Sequence, residues 1–269
     1  MKKLFRFGLL VLGAYVLTVA SVYLFQKNIV FRPAPLAKDY TYELGYPCKE
    51  FFLQTPSGDS INALWLPAST DSSRGAILYL HGNADNLSRW AGYHEDFTSR
   101  GYDFLAIDYR GYGKSSGKPN EQRMYEDAAI AYDWMRQQYE PEAITLYGRS
   151  LGTGVSSHLA RNVEAKRLVL ETPYDNIRSA IQKSIPLLWL PFPLKYKFPN
   201  NEYLPEVDMP TYIFHGTKDA VVPYASAAML KPLLPEKDHF ITIRGGKHRN
   251  LSEFELFQDK LDEILGKSF

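Results

Sequence analysis

Short apolar runs that alternate with helical stretches set the strongest limit on how this chain folds. They are Ala76 to Leu80, Phe104 to Ile107, Ala143 to Leu146, Leu168 to Leu170, Tyr212 to Phe214 and Phe240 to Ile243. A strand with one wet face alternates apolar and polar side chains, whereas a run this uniformly apolar is covered on both faces. The pattern therefore predicts a parallel sheet with helices above and below it. The intervening stretches fit: Met124, Ala128, Ala131 and Met135 share one helical stripe, as do Phe254, Phe257, Leu261 and Ile264. The last helix is expected to start at Asn250, capped through Glu253, and to stop at Gly266. Upstream, Glu50 to Gln54 and Ile61 to Leu66 flank the turn residues Pro56-Ser57-Gly58-Asp59 and read as a hairpin. A hairpin followed by repeated strand–helix units is one α/β domain.

The N-terminus answers to a different solvent. Lys2, Lys3 and Arg6 precede nineteen uncharged residues, Phe7 to Phe25. At about 1.5 Å per residue such a helix covers roughly 28 Å, close to the hydrocarbon thickness of a bilayer. A buried core helix would show a polar face, and this run offers only Ser, Thr and Gly. A cleaved signal peptide is a second reading, because Thr18-Val19-Ala20 fits a small-x-small site, but the apolar run continues past it. The favoured organisation is a cytoplasmic tip (1–6), a transmembrane anchor (7–25), a linker (26–48) and a catalytic domain (49–269). Basic residues crowd the first flank more than the second, which favours the N-terminus inside and the domain outside the cytoplasm.

Thr172 to Leu204 breaks the strand–helix rhythm with Pro186, Pro191, Pro193 and Pro199. It reads either as a second hydrophobic helix on the sheet or, preferred here, as a small cap inserted over about 172–204. On the cap reading Leu187, Leu188, Trp189 and Phe192 form an apolar underside that binds substrate.

Chemistry enters at Gly148-Arg149-Ser150-Leu151-Gly152, directly after the run Ala143 to Leu146. A serine on a sharp strand-to-helix turn has a strained backbone, and glycines two residues to either side remove the Cβ atoms that would clash. The hydroxyl needs a base. Of six histidines, His248 follows the last run in a loop before the final helix, whereas His81 and His215 sit at strand ends and His158 lies well into the helix after Ser150. The base in turn needs an acid, and Asp219, in the loop after Tyr212 to Phe214, comes before Asp175 as the choice. The order Ser150, Asp219, His248 matches one of the known triad orders. Oxyanion donors are expected from the backbone N–H groups of Leu151 and Asn83. Gly113-Lys114-Ser115 lacks the earlier glycine of a phosphate loop and reads as a structural turn.

Together with His81-Gly82-Asn83-Ala84, Asp108-Tyr109-Arg110-Gly111-Tyr112-Gly113, His215-Gly216-Thr217-Lys218-Asp219 and Gly246-Lys247-His248, these residues resemble the α/β-hydrolase superfamily, in particular its small membrane-anchored Bem46-like members. The resemblance covers about Phe51 to the end of the chain. It implies an α/β-hydrolase fold with a mostly parallel eight-stranded sheet, and Ser150, Asp219 and His248 as nucleophile, acid and base. It also implies hydrolysis of carboxylic esters, thioesters or related acyl bonds without a cofactor. The sequence has no His-Glu-x-x-His pattern or carboxylate cluster to hold a metal, and the tether beside lipid with the apolar cap favours a small or lipid-like acyl substrate. A peptidase for short peptides, using Glu171 or Asp175 to hold the substrate amine, and a non-catalytic binding module are the alternatives. A net charge of +1 gives no field to recruit nucleic acid, and the one cysteine, Cys48, excludes an internal disulfide.

Overall fold

A computed structural model gives the fold and describes residues 1–185, 190–236 and 239–266. Its central sheet has eight strands: β1 (Lys49–Gln54), β2 (Ser60–Leu66), β3 (Ala76–Leu80), β4 (Asp103–Ile107), β5 (Ile144–Arg149), β6 (Arg167–Glu171), β7 (Thr211–Gly216) and β8 (Phe240–Ile243). They lie in the order β8-β7-β6-β5-β3-β4-β2-β1. The hairpin β1–β2 is antiparallel, β2 runs antiparallel to β4, and the other pairings are parallel. Each apolar run of the sequence is one of these strands, and both faces are covered as its composition requires. On β3, Ala76, Leu78 and Leu80 join one core, while Ile77 and Tyr79 join the other. The first core is closed by α2 (Glu121–Met135) and α3 (Leu151–Ala160), the second by α5 (Glu255–Leu265). Met124, Ala128, Ala131 and Met135 of α2 are all fully buried, as their spacing predicts.

The strand order reverses between β3 and β5: β3 leads on to β4 on one side, and β5 leads on to β6 on the other. Loops at the carboxyl ends of such neighbours diverge and leave a crevice, which is where open α/β sheets bind ligands. Here those ends carry His81-Gly82-Asn83 and Ser150.

Two boundaries differ from the sequence reading. The N-terminal helix α1 spans Lys2–Val30, bent at Phe25, so the stretch expected to be a linker from residue 26 begins as helix. It then packs on the domain: Phe31 is buried against Tyr196 and Phe198, and Arg32–Pro33 pairs in parallel with Ala84–Asp85. The reason is tertiary, since Gln26, a polar residue at the end of an apolar helix, is buried and accepts from the Lys195 backbone N–H at 2.7 Å. At the other end of the chain, Asn250 does not cap the last helix. Its side chain accepts from Lys247 N–H at 2.8 Å, a 3-10 turn covers Leu251–Glu253, and α5 starts only at Glu255. Between β6 and β7 the proline-rich stretch forms α4 (Ile177–Ser184) and an extended segment that packs Leu190 and Leu194 on α1.

Candidate active site

Ser150 sits between β5 and α3 with φ 51° and ψ −117°, a conformation few non-glycine residues adopt. What holds it there is the close approach of its glycine neighbours. A Cβ on Gly148 would lie 2.0 Å from Ser156 Oγ, and one on Gly152 would lie 2.0 Å from the Leu80 carbonyl oxygen. Helix α3 thus starts hard against the end of β3. The Ser150 N–H donates to the Glu171 carbonyl at 2.9 Å, and its own carbonyl accepts from the Thr153 N–H at 2.9 Å.

Three residues distant in sequence meet at this turn. His248 Nε2 stands 3.1 Å from Ser150 Oγ, and His248 Nδ1 stands 2.7 Å from Asp219 Oδ2. A carboxylate only accepts hydrogen bonds, so Nδ1 carries the proton and Nε2 keeps a lone pair for the serine hydroxyl. Asp219 Oδ1 accepts from the Val221 and Val222 N–H groups, each at 2.8 Å. Burial pushes the Asp219 carboxyl up, but the His248 hydrogen bond and charge, the Val222 N–H and His215 together hold it below the usual carboxylate range.

His215, at the end of β7, is also part of the site through its ring. Its Nε2 donates to the Val222 carbonyl at 3.0 Å and lies 3.4 Å from Asp219 Oδ2, bracing the acid loop from below. The spacing of His215 and Asp219, four residues apart across a glycine, was the signal available for it. Arg149 is a second residue the sequence reading passed over. It is buried, pairs with Glu171 at 3.3 Å, lies under the rings of Trp90 and Tyr93, and reaches the His248 carbonyl at 3.5 Å. A charged residue at the end of an apolar strand, between glycine and serine, is the mark of such a buried pair.

Asp175, the second choice of acid, is engaged elsewhere. It accepts from the Ser226 hydroxyl and lies 3.8 Å from the Lys183 ammonium. Gly113-Lys114-Ser115 is a structural turn: Lys114 binds Glu50 at 2.9 Å and the Ser115 hydroxyl donates to the Asp108 carbonyl at 2.5 Å. The Asp108 carboxylate accepts from Leu87 N–H at 3.1 Å and faces His81 Nε2 at 3.4 Å, anchoring the loop that carries Asn83. Among the described residues no group of three or more His, Cys, Asp or Glu is placed to hold a metal ion.

Ser150 opens into a largely apolar cavity of about 320 Å³, at the small end of ligand-binding pockets. Leu151, Asn83, Tyr174, Val221 and Val222 line it from the sheet side, Ile177, Ala180, Ile181 and Ser184 from α4 with Ile185 just past its end, and Val22, Ile29 and Val30 from α1. Phe192 does not line it. Its ring meets Tyr23 of α1 edge-on at 5.0 Å, drawn there by the apolar surface of the N-terminal helix. Leu187, Leu188 and Trp189 lie outside the described residues.

A family model described as serine aminopeptidase, S33, matches residues 71–201. The chain is 32% identical over 213 residues to the lysophosphatidylserine lipase ABHD12 of Danio rerio, covering 67% of this chain and 54% of that protein. It is 27% identical over 218 residues to the alpha/beta hydrolase domain-containing protein 17C of Mus musculus, covering 80% of this chain and 67% of that one. The chain spans a little over half the length of the lipase relative, at 54%. Among solved structures, the Pyrococcus furiosus esterase Pf2001 superimposes with a TM-score of 0.66 at 19% identity, over 88% of this chain and 96% of that one, a likeness of fold. Sequence relatives and sheet topology converge on one placement, and the chain belongs to the α/β-hydrolase superfamily.

Proposed function

We propose that this protein is a membrane-anchored serine hydrolase that cleaves carboxylic ester or thioester bonds of acyl substrates. The observation that carries the reading is the unbroken relay from Asp219 through His248 to Ser150, at 2.7 and 3.1 Å. Ser150 Oγ attacks the acyl carbonyl carbon while His248 Nε2 takes its proton. The negative charge that develops on the carbonyl oxygen is held by the Leu151 and Asn83 N–H groups, each worth about 3 kcal/mol of barrier. The protonated imidazole then gives its proton to the departing alkoxide or thiolate, leaving Ser150 acylated. A water, deprotonated by His248, attacks the acyl carbon, and the carboxylic acid leaves as Ser150 recovers its proton. Asp219 fixes the tautomer and stabilises the imidazolium in both halves.

The apolar cavity supports an acyl chain as the bound group, and the zebrafish relative described as a lysophosphatidylserine lipase supports a single-chain lipid. The peptidase alternative needs a free carboxylate for the substrate amine. Glu171 is buried and bound by Arg149 and the Tyr147 hydroxyl, and Asp175 by Ser226 and Lys183, so neither is available. Helix α1, long and apolar enough to cross a bilayer, supports the anchor, and its basic N-terminal flank supports an N-terminus on the cytoplasmic side. The test is Ser150→Ala in the full chain. Turnover of p-nitrophenyl acyl esters and labelling by a fluorophosphonate both vanish; activity at the level of the unaltered protein overturns the assignment.

A further inference from the structure

Helix α1 has 29 residues, about 43 Å at helical rise, against a hydrocarbon core of about 30 Å. Roughly a third of it therefore has no lipid to answer to. Its outer part is mostly bare: Leu4, Leu10, Leu12 and Leu17 are exposed, Tyr15 is partly covered, and no residue of the helix's most apolar stretch is buried. Val19 and Val22 pack with Leu190, Leu194 and Ile177. From there the helix is pinned to the site itself. Gln26 accepts from Lys195 N–H at 2.7 Å, and Arg32 N–H, two residues past the helix end, donates to the Asn83 side chain at 2.8 Å.

The cavity at Ser150 has Val22, Ile29 and Val30 in its wall, facing Ile177, Ala180 and Ile181 of α4. Its rim is apolar and wet: Ile185 and Val221 are 53% and 58% exposed. Bulky apolar side chains at a rim that continues into a lipid-facing helix have a partner in the hydrocarbon of the bilayer. A lipid lying alongside α1 has its acyl chain beside the mostly bare outer part and its ester near the bilayer surface, where α1 meets the domain. That is the level of Ser150.

Resting on the esterase reading above, we propose that α1 is a wall of the acyl-binding cavity and that long-chain substrate enters sideways from the bilayer along the α1–α4 groove. The anchor then sets chain-length preference as well as location.

The experiment uses the full chain in phosphatidylcholine vesicles, with p-nitrophenyl palmitate dissolved in the bilayer and p-nitrophenyl acetate in the water. The readout is the ratio of kcat/KM for the two esters. Ile29→Trp fills the groove and lowers that ratio by about tenfold or more, since each methylene excluded from an apolar pocket is worth about tenfold. Val22→Phe, on the same wall, lowers it in the same direction. Leu12→Trp, on the outer part of α1, leaves the ratio where the unaltered protein has it. Acetate turnover reports that each variant is folded. An unchanged ratio in Ile29→Trp, an equal loss on both esters, or an equal fall in Leu12→Trp overturns the proposal. Failure of the unaltered chain to turn over even the acetate ester overturns the esterase reading and this inference with it.

Discussion

Asp219→Asn separates the roles that the carboxylate combines. Its Oδ1 accepts two backbone N–H groups at 2.8 Å, and its Oδ2 faces His248 Nδ1 at 2.7 Å. An asparagine has one oxygen and one NH₂ to distribute between these positions. Turning the NH₂ toward Val221 and Val222 sets donor against two donors, at about 1–3 kcal/mol for each bond left unmade. The oxygen therefore takes the Oδ1 position and the NH₂ meets His248. That forces Nδ1 to accept, so Nε2 carries the proton, points it at Ser150 and no longer serves as a base. Stabilisation of the imidazolium is lost in the same step. The expected fall in kcat/KM is about 10⁴-fold, or about 5.5 kcal/mol at 1.36 kcal/mol per decade.

The same substitution has a stability signature of known sign. The Asp219 carboxyl is held below its usual range, burial opposing and the His248 hydrogen bond prevailing. Its ionised form therefore stabilises the fold fully above the unfolded carboxyl value, about pH 4, and the contribution is lost as pH falls through the lower folded value. The Tm gap between the unaltered protein and Asp219→Asn is widest near neutrality and closes in acid. Asp219→Ala also strips the Val221 and Val222 N–H groups of their acceptor, so it unfolds at a lower temperature than Asp219→Asn at equal loss of activity. The assay is ester turnover beside thermal unfolding from pH 3 to pH 8. An asparagine variant retaining more than about a tenth of kcat/KM refutes the tautomer argument.

Gly152→Ala drives a methyl to 2.0 Å from the Leu80 backbone carbonyl oxygen, which cannot swing aside as a flexible side chain would, and lowers stability by about 1–3 kcal/mol or more together with activity. Gly92→Ala, with nothing within 4 Å, is the control, and equal Tm values for the two refute the close-packing argument. His158 stacks on Tyr125 at 3.8 Å, and burial, helped by Arg161, lowers its pKa to about 4. From about pH 6.5 down to that value the unfolded chain takes up a proton the folded one refuses, so stability falls with pH across the window. His158→Gln flattens that slope in denaturation curves measured from pH 4 to pH 7, and an unchanged slope overturns the assignment.

Much of the architecture is legible because its signals are local. Runs such as Ala76 to Leu80 carry their two-faced burial in their own composition, and Gly148 and Gly152 announce the tight turn around Ser150. Ser150, His248 and Asp219 are legible because each follows a strand that the composition had already located. What escaped depends on partners far away in sequence. Nothing near Gln26 says that the Lys195 backbone N–H will donate to its amide oxygen, so the uncharged run 7–25 does not reveal that the helix continues to Val30. A proline-rich apolar stretch reads as a cap with Phe192 on its underside; the apolar face that takes its ring belongs to Tyr23, 169 residues earlier.

Beneath the site, position is fixed by polar contacts that contribute little to net stability. Arg149 and Glu171 are both buried, and an isolated charge there costs several kcal/mol, so burial pushes the Glu171 carboxyl up even beside its partner. Replacing both with apolar residues of similar volume is often neutral for a fold, so stability alone does not account for the pair. Geometry does. Glu171 holds Arg149 with its side chain and Ser150 N–H with its carbonyl, while Arg149 reaches the carbonyl of His248. One ion pair thus ties the turn of Ser150 after β5, the end of β6 and the loop of His248 into one frame. Because Arg149 meets the carbonyl of His248 itself, losing that frame disturbs the 3.1 Å approach to Ser150 before it disturbs the sheet. On the proposed mechanism the reactivity of Ser150 is in this sense a property of β5 and β6 as much as of Ser150, His248 and Asp219 themselves.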